Sequence, residues 1–153
     1  MDVITEIQLL GKILLAALLG GLVGIEREFA EKPAGLRTHM LVGSVSTLLV
    51  ILGTRIVGAF DQQNVITADP IRILQAIVIG ISFLGAGTIL KYGAEDKQTV
   101  EGLATSASIL SVAAIGIAVA LSAYILATGA TFLNLIVNWG LMPVVTYVRR
   151  RTK

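Results

Sequence analysis

The sequence predicts an all-α, polytopic transmembrane helix bundle of about five spans. Three observations carry this reading. Apolar stretches of about twenty residues recur along the 153-residue chain, each long enough to cross a hydrocarbon core of roughly 30 Å as a helix. The composition is 55% hydrophobic and 14% charged, with a mean hydropathy of +0.85. Nearly all the charge sits in the gaps between the stretches. Backbone polar groups in lipid must be satisfied within the chain, and a helix does this segment by segment.

The start, Met1 to Gln8, is acidic and polar. It lacks the basic region and small-residue cleavage site of a secretory signal, so the first helix is expected to be retained. Span 1 covers about Ile7–Ile25, with Lys12 near enough to its outer end to snorkel. Span 2 covers about His39–Ala59 and span 3 about Pro70–Leu90. From Gly102 to Val148 the chain is apolar for too long to cross once, so two spans are expected, with a tight turn near Val119–Tyr124. Five spans place Arg27, Lys32, Arg37, Lys91, Lys97, Arg149, Arg150, Arg151 and Lys153 on one side, the cytoplasm. Lys12, Arg55 and Arg72 remain on the other. The N-terminus is then outside and the C-terminus inside, as a transmembrane domain over 1–148 with a basic tail at 149–153. Trp139 and Tyr147 at the inner end of span 5, and Tyr124 at its outer end, suit interfacial anchors.

Composition also excludes. The chain has no cysteine, which removes disulfides, thiolate metal sites and a cysteine nucleophile. A single histidine, His39, removes multi-histidine metal centres. A net charge of +2, with basic residues not interleaved with aromatics, gives no support to nucleic-acid binding. No nucleophile has a His or Lys base at useful spacing, so no enzyme activity and no cofactor are expected.

Candidate functional residues lie at helix ends and on small-residue faces. Gly20 and Gly24, extended by Ala16, share one face of span 1 and admit a close neighbour, either within the chain or in a second copy. The loop from Glu26 to His39 carries the densest charge; Glu26, Arg27, Glu28 and Arg37 suit an ion-pair network joining two helix ends. Pro33-Ala34-Gly35 suits a turn, and Thr38 suits the cap of span 2. Asp69 and Pro70 read as N-cap and first residue of span 3. Arg72 in its first turn calls for a carboxylate partner, Asp69 or Asp61. Gly80, Ser82, Gly85 and Gly87 mark either close helix packing or a break lining a cavity. Span 4, with Thr105, Ser106, Ser108 and Ser111 among alanines, is expected to be central. On span 5, Thr131, Asn134 and Asn138 share a face that is expected to look into the bundle or a dimer interface.

The run Gly24-Ile-Glu-Arg-Glu28, then Lys32-Pro-Ala-Gly-Leu-Arg-Thr-His39, Asp69-Pro-Ile-Arg72, Gly80-Ile-Ser-Phe-Leu-Gly-Ala-Gly87 and Gly102-Leu-Ala-Thr105 resembles the MgtC/SapB family of bacterial inner-membrane proteins. The matching motifs cover about residues 11–120 in the family's order. The resemblance implies a five-helix membrane domain in the inner membrane, and links to low-magnesium growth and survival in host cells. It implies a regulatory role, including inhibition of the ATP synthase by contact in the membrane. Glu26, Arg27, Arg37, Asp69, Arg72, Gly85 and Gly87 are the matching positions to test. Many relatives carry a soluble C-terminal domain, which this chain is expected to lack. It also has Ala104 and Ser106 in Gly102-Leu-Ala-Thr-Ser-Ala107, where the family often has Thr and Ala, Leu110 in place of a Trp, and Ser82 in place of a Gly.

Two functions follow as expectations. One is a non-enzymatic regulator acting by helix contact, in lipid, as a homo-oligomer with a dimer favoured. The other is a transporter or channel for Mg²⁺ or another cation. No acidic residue lies mid-span, and Glu26 and Asp69 fall near opposite faces, which counts against a direct Mg²⁺ path. A path built from backbone around Gly85–Gly87 stays open.

Overall fold

The computed structural model describes residues 2–61, 69–92 and 99–140, with backbone alone for residues 60–61, 90–92 and 99. Lys97, Tyr147 and the basic tail lie outside the described residues, as do the side chains of Asp61 and Lys91. Five helices follow in order: α1 (Val3–Phe29), α2 (Leu36–Asp61), α3 (Pro70–Gly87), α4 (Leu103–Ala120) and α5 (Tyr124–Leu135). A π-helical turn, Ile136–Gly140, continues α5. Four of them, α1 to α4, are long and apolar enough to cross a membrane by length and composition.

The helix ends differ from the sequence expectation for identifiable reasons. α1 runs to Phe29 and stops in a Schellman turn: Lys32 N–H donates to Arg27 O (3.0 Å) and Glu31 N–H to Glu28 O (3.1 Å). Glu31 takes the left-handed position, at φ 51°. α2 begins at Leu36, not His39, so Thr38 is inside the helix rather than its cap. Its first amide is held by α1: Leu36 N–H donates to Glu28 Oε2 at 2.9 Å. Asp69 caps α3 as expected, accepting from Ile71 N–H at 2.9 Å. α3 ends at Gly87 rather than Leu90. Leu90–Tyr92 instead pairs antiparallel with Thr99–Glu101, so the bundle carries a two-stranded hairpin, β1 and β2. The expected turn after span 4 is present at Leu121–Ala123, as a second Schellman turn with Ser122 at φ 60°.

α4 contacts all four other helices, as its run of small residues predicts. α1 and α2 pack on it and on each other, α3 packs against α2 and α4, and α5 against α4 and α1. Ile109, Val112, Ala113, Ile115 and Val119 of α4 are buried on several faces. The three inner helices meet backbone to backbone. A Cβ at Gly43 would stand 2.7 Å from Ala16 O, one at Gly20 would run into His39 O, and one at Gly116 into Gly43 O. One at Gly24 would stand 2.8 Å from Leu36 Cα. The Ala16–Gly20–Gly24 stripe is therefore an intramolecular seam against α2.

α3 is an unbroken helix at the edge. Gly85 packs on Ser106, where a Cβ would stand 2.5 Å from Oγ. Gly80, Ser82 and Gly87 are exposed, and a Cβ on either glycine would meet nothing. The break-and-cavity alternative for this segment is thus corrected: three of its four residues face out of the bundle, because only the Gly85 side of α3 turns toward α4.

Gly116→Val is expected to cost about 1–3 kcal/mol, because backbone cannot yield as a side chain does. Gly80→Val is expected to stay within about 0.5 kcal/mol of the parent. Unfolding in lipid-detergent mixtures measures both, and equal losses would refute the seam.

Candidate functional site

The loop end of the bundle holds a buried polar layer built by α1, α2 and α4. Val23 and Gly24 lie one helical turn before Arg27 on α1 and all three face inward, which sets Arg27 against the first turn of α4. Arg27 Nη2 donates to Thr105 Oγ1 at 2.8 Å. Glu26 Oε2 lies 3.9 Å from Arg27 Nη1, and each side chain is about 5% exposed. Among the described residues, neither carboxylate oxygen of Glu26 has a hydrogen-bond partner, nor does Arg27 Nε.

His39, one turn into α2, is fully buried. The absence of a side chain at Gly24 leaves room for its Cβ. Nδ1 lies 2.8 Å from Gly35 O and Nε2 lies 3.0 Å from Ser108 Oγ. Ser108 Oγ is also 2.9 Å from Thr105 O. Thr105 and Ser108 are three apart on α4, so one helix face serves both α1 and α2. Deeper in the bundle, Thr47 Oγ1 lies 2.7 Å from Gly116 O and 3.0 Å from Gly43 O.

Of the sequence-predicted residues, this layer collects Glu26, Arg27, Thr105 and Ser108, with Gly24 beside them and Glu28 tying the loop. Arg37 is exposed on the same end and makes no hydrogen bond or ion pair among the described residues. Asp69 and Arg72 are elsewhere: Pro70 shares a cleft with Thr54 and Leu121, at the far ends of α2 and α4. Among the described residues Arg72 makes no ion pair; it is exposed and lines a groove with Gly53 and Ile73. Its expected pairing with Asp69 is not formed, because the Asp69 carboxylate turns back to cap its own helix.

Asn134 looks into the bundle, its Nδ2 donating to Ser111 Oγ at 2.7 Å. Asn138 lines the same α4–α5 cleft. At the opposite end, Lys12 does more than snorkel: Nζ donates to Ala120 O (2.9 Å) and Ser122 Oγ (2.8 Å), closing the C-terminus of α4. His39 and Lys12 are the participants that sequence reasoning missed. A lone histidine in an apolar helix is itself the signal, since a buried ring must find partners.

Replacing Arg27 with Leu strands the Glu26 carboxylate and is expected to cost about 3–5 kcal/mol. Adding Glu26→Gln to that variant should restore more than half of the loss. Thermal unfolding of the two variants checks this, and a double variant no more stable than the single would overturn the pairing.

The MgtC family model matches residues 13–147. Protein SapB of Bacillus subtilis is 36% identical over 79% of this chain and 47% of its own length. The putative magnesium transporter YhiD of Escherichia coli K12 is 36% identical over 82% of this chain and 57% of its own. Protein MgtC of Brucella abortus is 38% identical over 85% and 50%, respectively. The chain spans about half the length of the curated relatives it matches. No solved structure matches it. With four apolar helices long enough to span and a family match across almost the whole bundle, the chain is a multi-pass bacterial membrane protein and belongs to the MgtC family.

Proposed function

We propose that the chain is a non-enzymatic inner-membrane protein of magnesium-related ion and energy homeostasis that acts by contact with other membrane proteins. Its N-terminus lies outside and its C-terminus in the cytoplasm, by the placement of Lys and Arg. The observation that carries the reading is the division of labour among the helices. The polar side chains of α1, α2 and α4 are turned on one another, while the edge helix α3 presents Gly80, Ser82, Phe83 and Gly87 outward. A helix face with small residues lets another helix approach closely, which is how helices associate where lipid removes the hydrophobic drive. A second copy of this chain, as a dimer, and the ATP synthase are the partners to probe first.

The second reading is cation transport, in keeping with the name of the Escherichia coli relative. What favours it is the cleft between α4 and α5, which brings Ser108, Ser111, Asn134 and Asn138 together. Mg²⁺ sheds its water reluctantly, so transport through such a cleft would carry hydrated ion past hydroxyls and amides.

Flux in proteoliposomes separates the two, first for Mg²⁺ and then for K⁺ and H⁺. The regulator reading expects no flux from folded, inserted protein; flux abolished by Asn134→Leu establishes transport instead. Arg37→Ala is expected to reach wild-type membrane levels and unfold within about 0.5 kcal/mol of wild type, because the side chain is exposed and unbonded. It is nevertheless expected to fail in a low-magnesium growth assay. Wild-type growth would remove Arg37 from the contact surface.

A further inference from the structure

We infer that His39 is a proton-binding site inside the bundle, wired to keep the same partners with one ring proton or two. The inference rests on the buried layer itself and stands under either functional reading.

The bond to Gly35 sets the tautomer. A carbonyl oxygen only accepts, so Nδ1 carries a hydrogen at 2.8 Å from Gly35 O. In the neutral ring Nε2 is then an acceptor, and its partner is the Ser108 hydroxyl at 3.0 Å. That hydroxyl has one hydrogen and a second acceptor in reach, Thr105 O at 2.9 Å. When a proton binds Nε2, the bond reverses: Nε2–H donates to Ser108 Oγ, and the Ser108 hydrogen turns to Thr105 O. No heavy atom moves, and both states keep every ring nitrogen bonded. A hydroxyl with the ring as its sole neighbour would leave its own hydrogen unplaced in the charged state.

A buried imidazolium has to be satisfied by its hydrogen-bond partners. Arg27, held by Thr105 on the same face of α4, opposes a second cation there. The other charged side chains described at this end, Glu28, Glu31, Lys32, Arg37 and Glu101, are exposed. α4 carries no ionisable residue, α5 has only Tyr124, and α3 has only Arg72, these last two at the far end. Ser108, which faces Nε2, also lines the α4–α5 cleft of about 300 Å³.

The test is ¹⁵N NMR of the ring in the full chain, labelled at histidine, in lipid nanodiscs. His39 is the single histidine, so the signals need no residue assignment, and couplings to the ring Cδ2 and Cε1 hydrogens tell Nδ1 from Nε2. The neutral ring is expected to show hydrogen on Nδ1 and a bare Nε2. One proton should then add at Nε2, in a single step. Ser108→Ala removes a bond that is stronger to the charged ring than to the neutral one, so the midpoint is expected to fall by about one pH unit. Ser108→Thr should hold it. A ring that stays in one state from about pH 4 to about pH 9 overturns the inference. So does a neutral ring protonated at Nε2, or an unmoved midpoint in Ser108→Ala.

Discussion

The contact of α4 with the backbones of α1 and α2 is the constraint on which the rest of the bundle depends. In lipid, apolar side chains gain little by exchanging acyl chains for one another, so helices hold together by dispersion contacts and interhelical hydrogen bonds. Both require closeness. Gly20, Gly43 and Gly116 supply it, each lying where a Cβ would meet a neighbouring carbonyl or side chain. The closeness lets Thr47 sit between the carbonyls of Gly43 and Gly116 on two different helices. It also brings Thr105 and Ser108 within bonding distance of Arg27 and His39.

α4 is pinned to α1 at both ends. Arg27 holds Thr105 in its first turn, and Lys12 holds Ala120 in its last. Each pair of anchors is fifteen residues apart on its own helix, about 22 Å at the helical rise, so two antiparallel helices match in length at both contacts. A slip of one turn would break both together. The two long basic side chains thus act as a gauge of register across an interface whose middle is smooth and apolar. Among the described residues no side-chain hydrogen bond of α3 reaches a neighbouring helix, and α3 rests on Gly85 and Ile73 at the edge of the bundle.

Much of this was legible from residue pattern. Apolar length located the spans, the small residues of α4 foretold its central place, and Asp69-Pro70 marked the start of α3. The stripe of Ala16, Gly20 and Gly24 was legible as a contact face, but its partner was not, because a stripe describes closeness and not the identity of the neighbour. The glycines of α3 misled for the same reason: Gly80 and Gly87 have the spacing of contact residues, yet a Cβ on either would meet nothing among the described residues. Lys12 and His39 were illegible for another reason. Their partners are backbone carbonyls and hydroxyls, groups that every segment offers and no motif marks, and Glu28, marked as a loop residue, likewise takes a backbone amide rather than an ion pair. Two helix ends closed by left-handed Glu31 and Ser122 rather than glycine carried no signal either.

The order of the buried bonds along the chain bears on how the protein is made. Arg27 and His39 lie in the first two helices, and their hydrogen-bond partners on α4 come 78 and 69 positions later. Lys12 waits for Ala120 and Ser122 over an even longer stretch. A ribosome therefore delivers three polar side chains to the membrane well before the helix that satisfies them. The first two helices cannot disperse into lipid with those groups bare at full cost. They have to linger at the insertion machinery, or at the water interface, until α4 arrives and the three inner helices close as one unit.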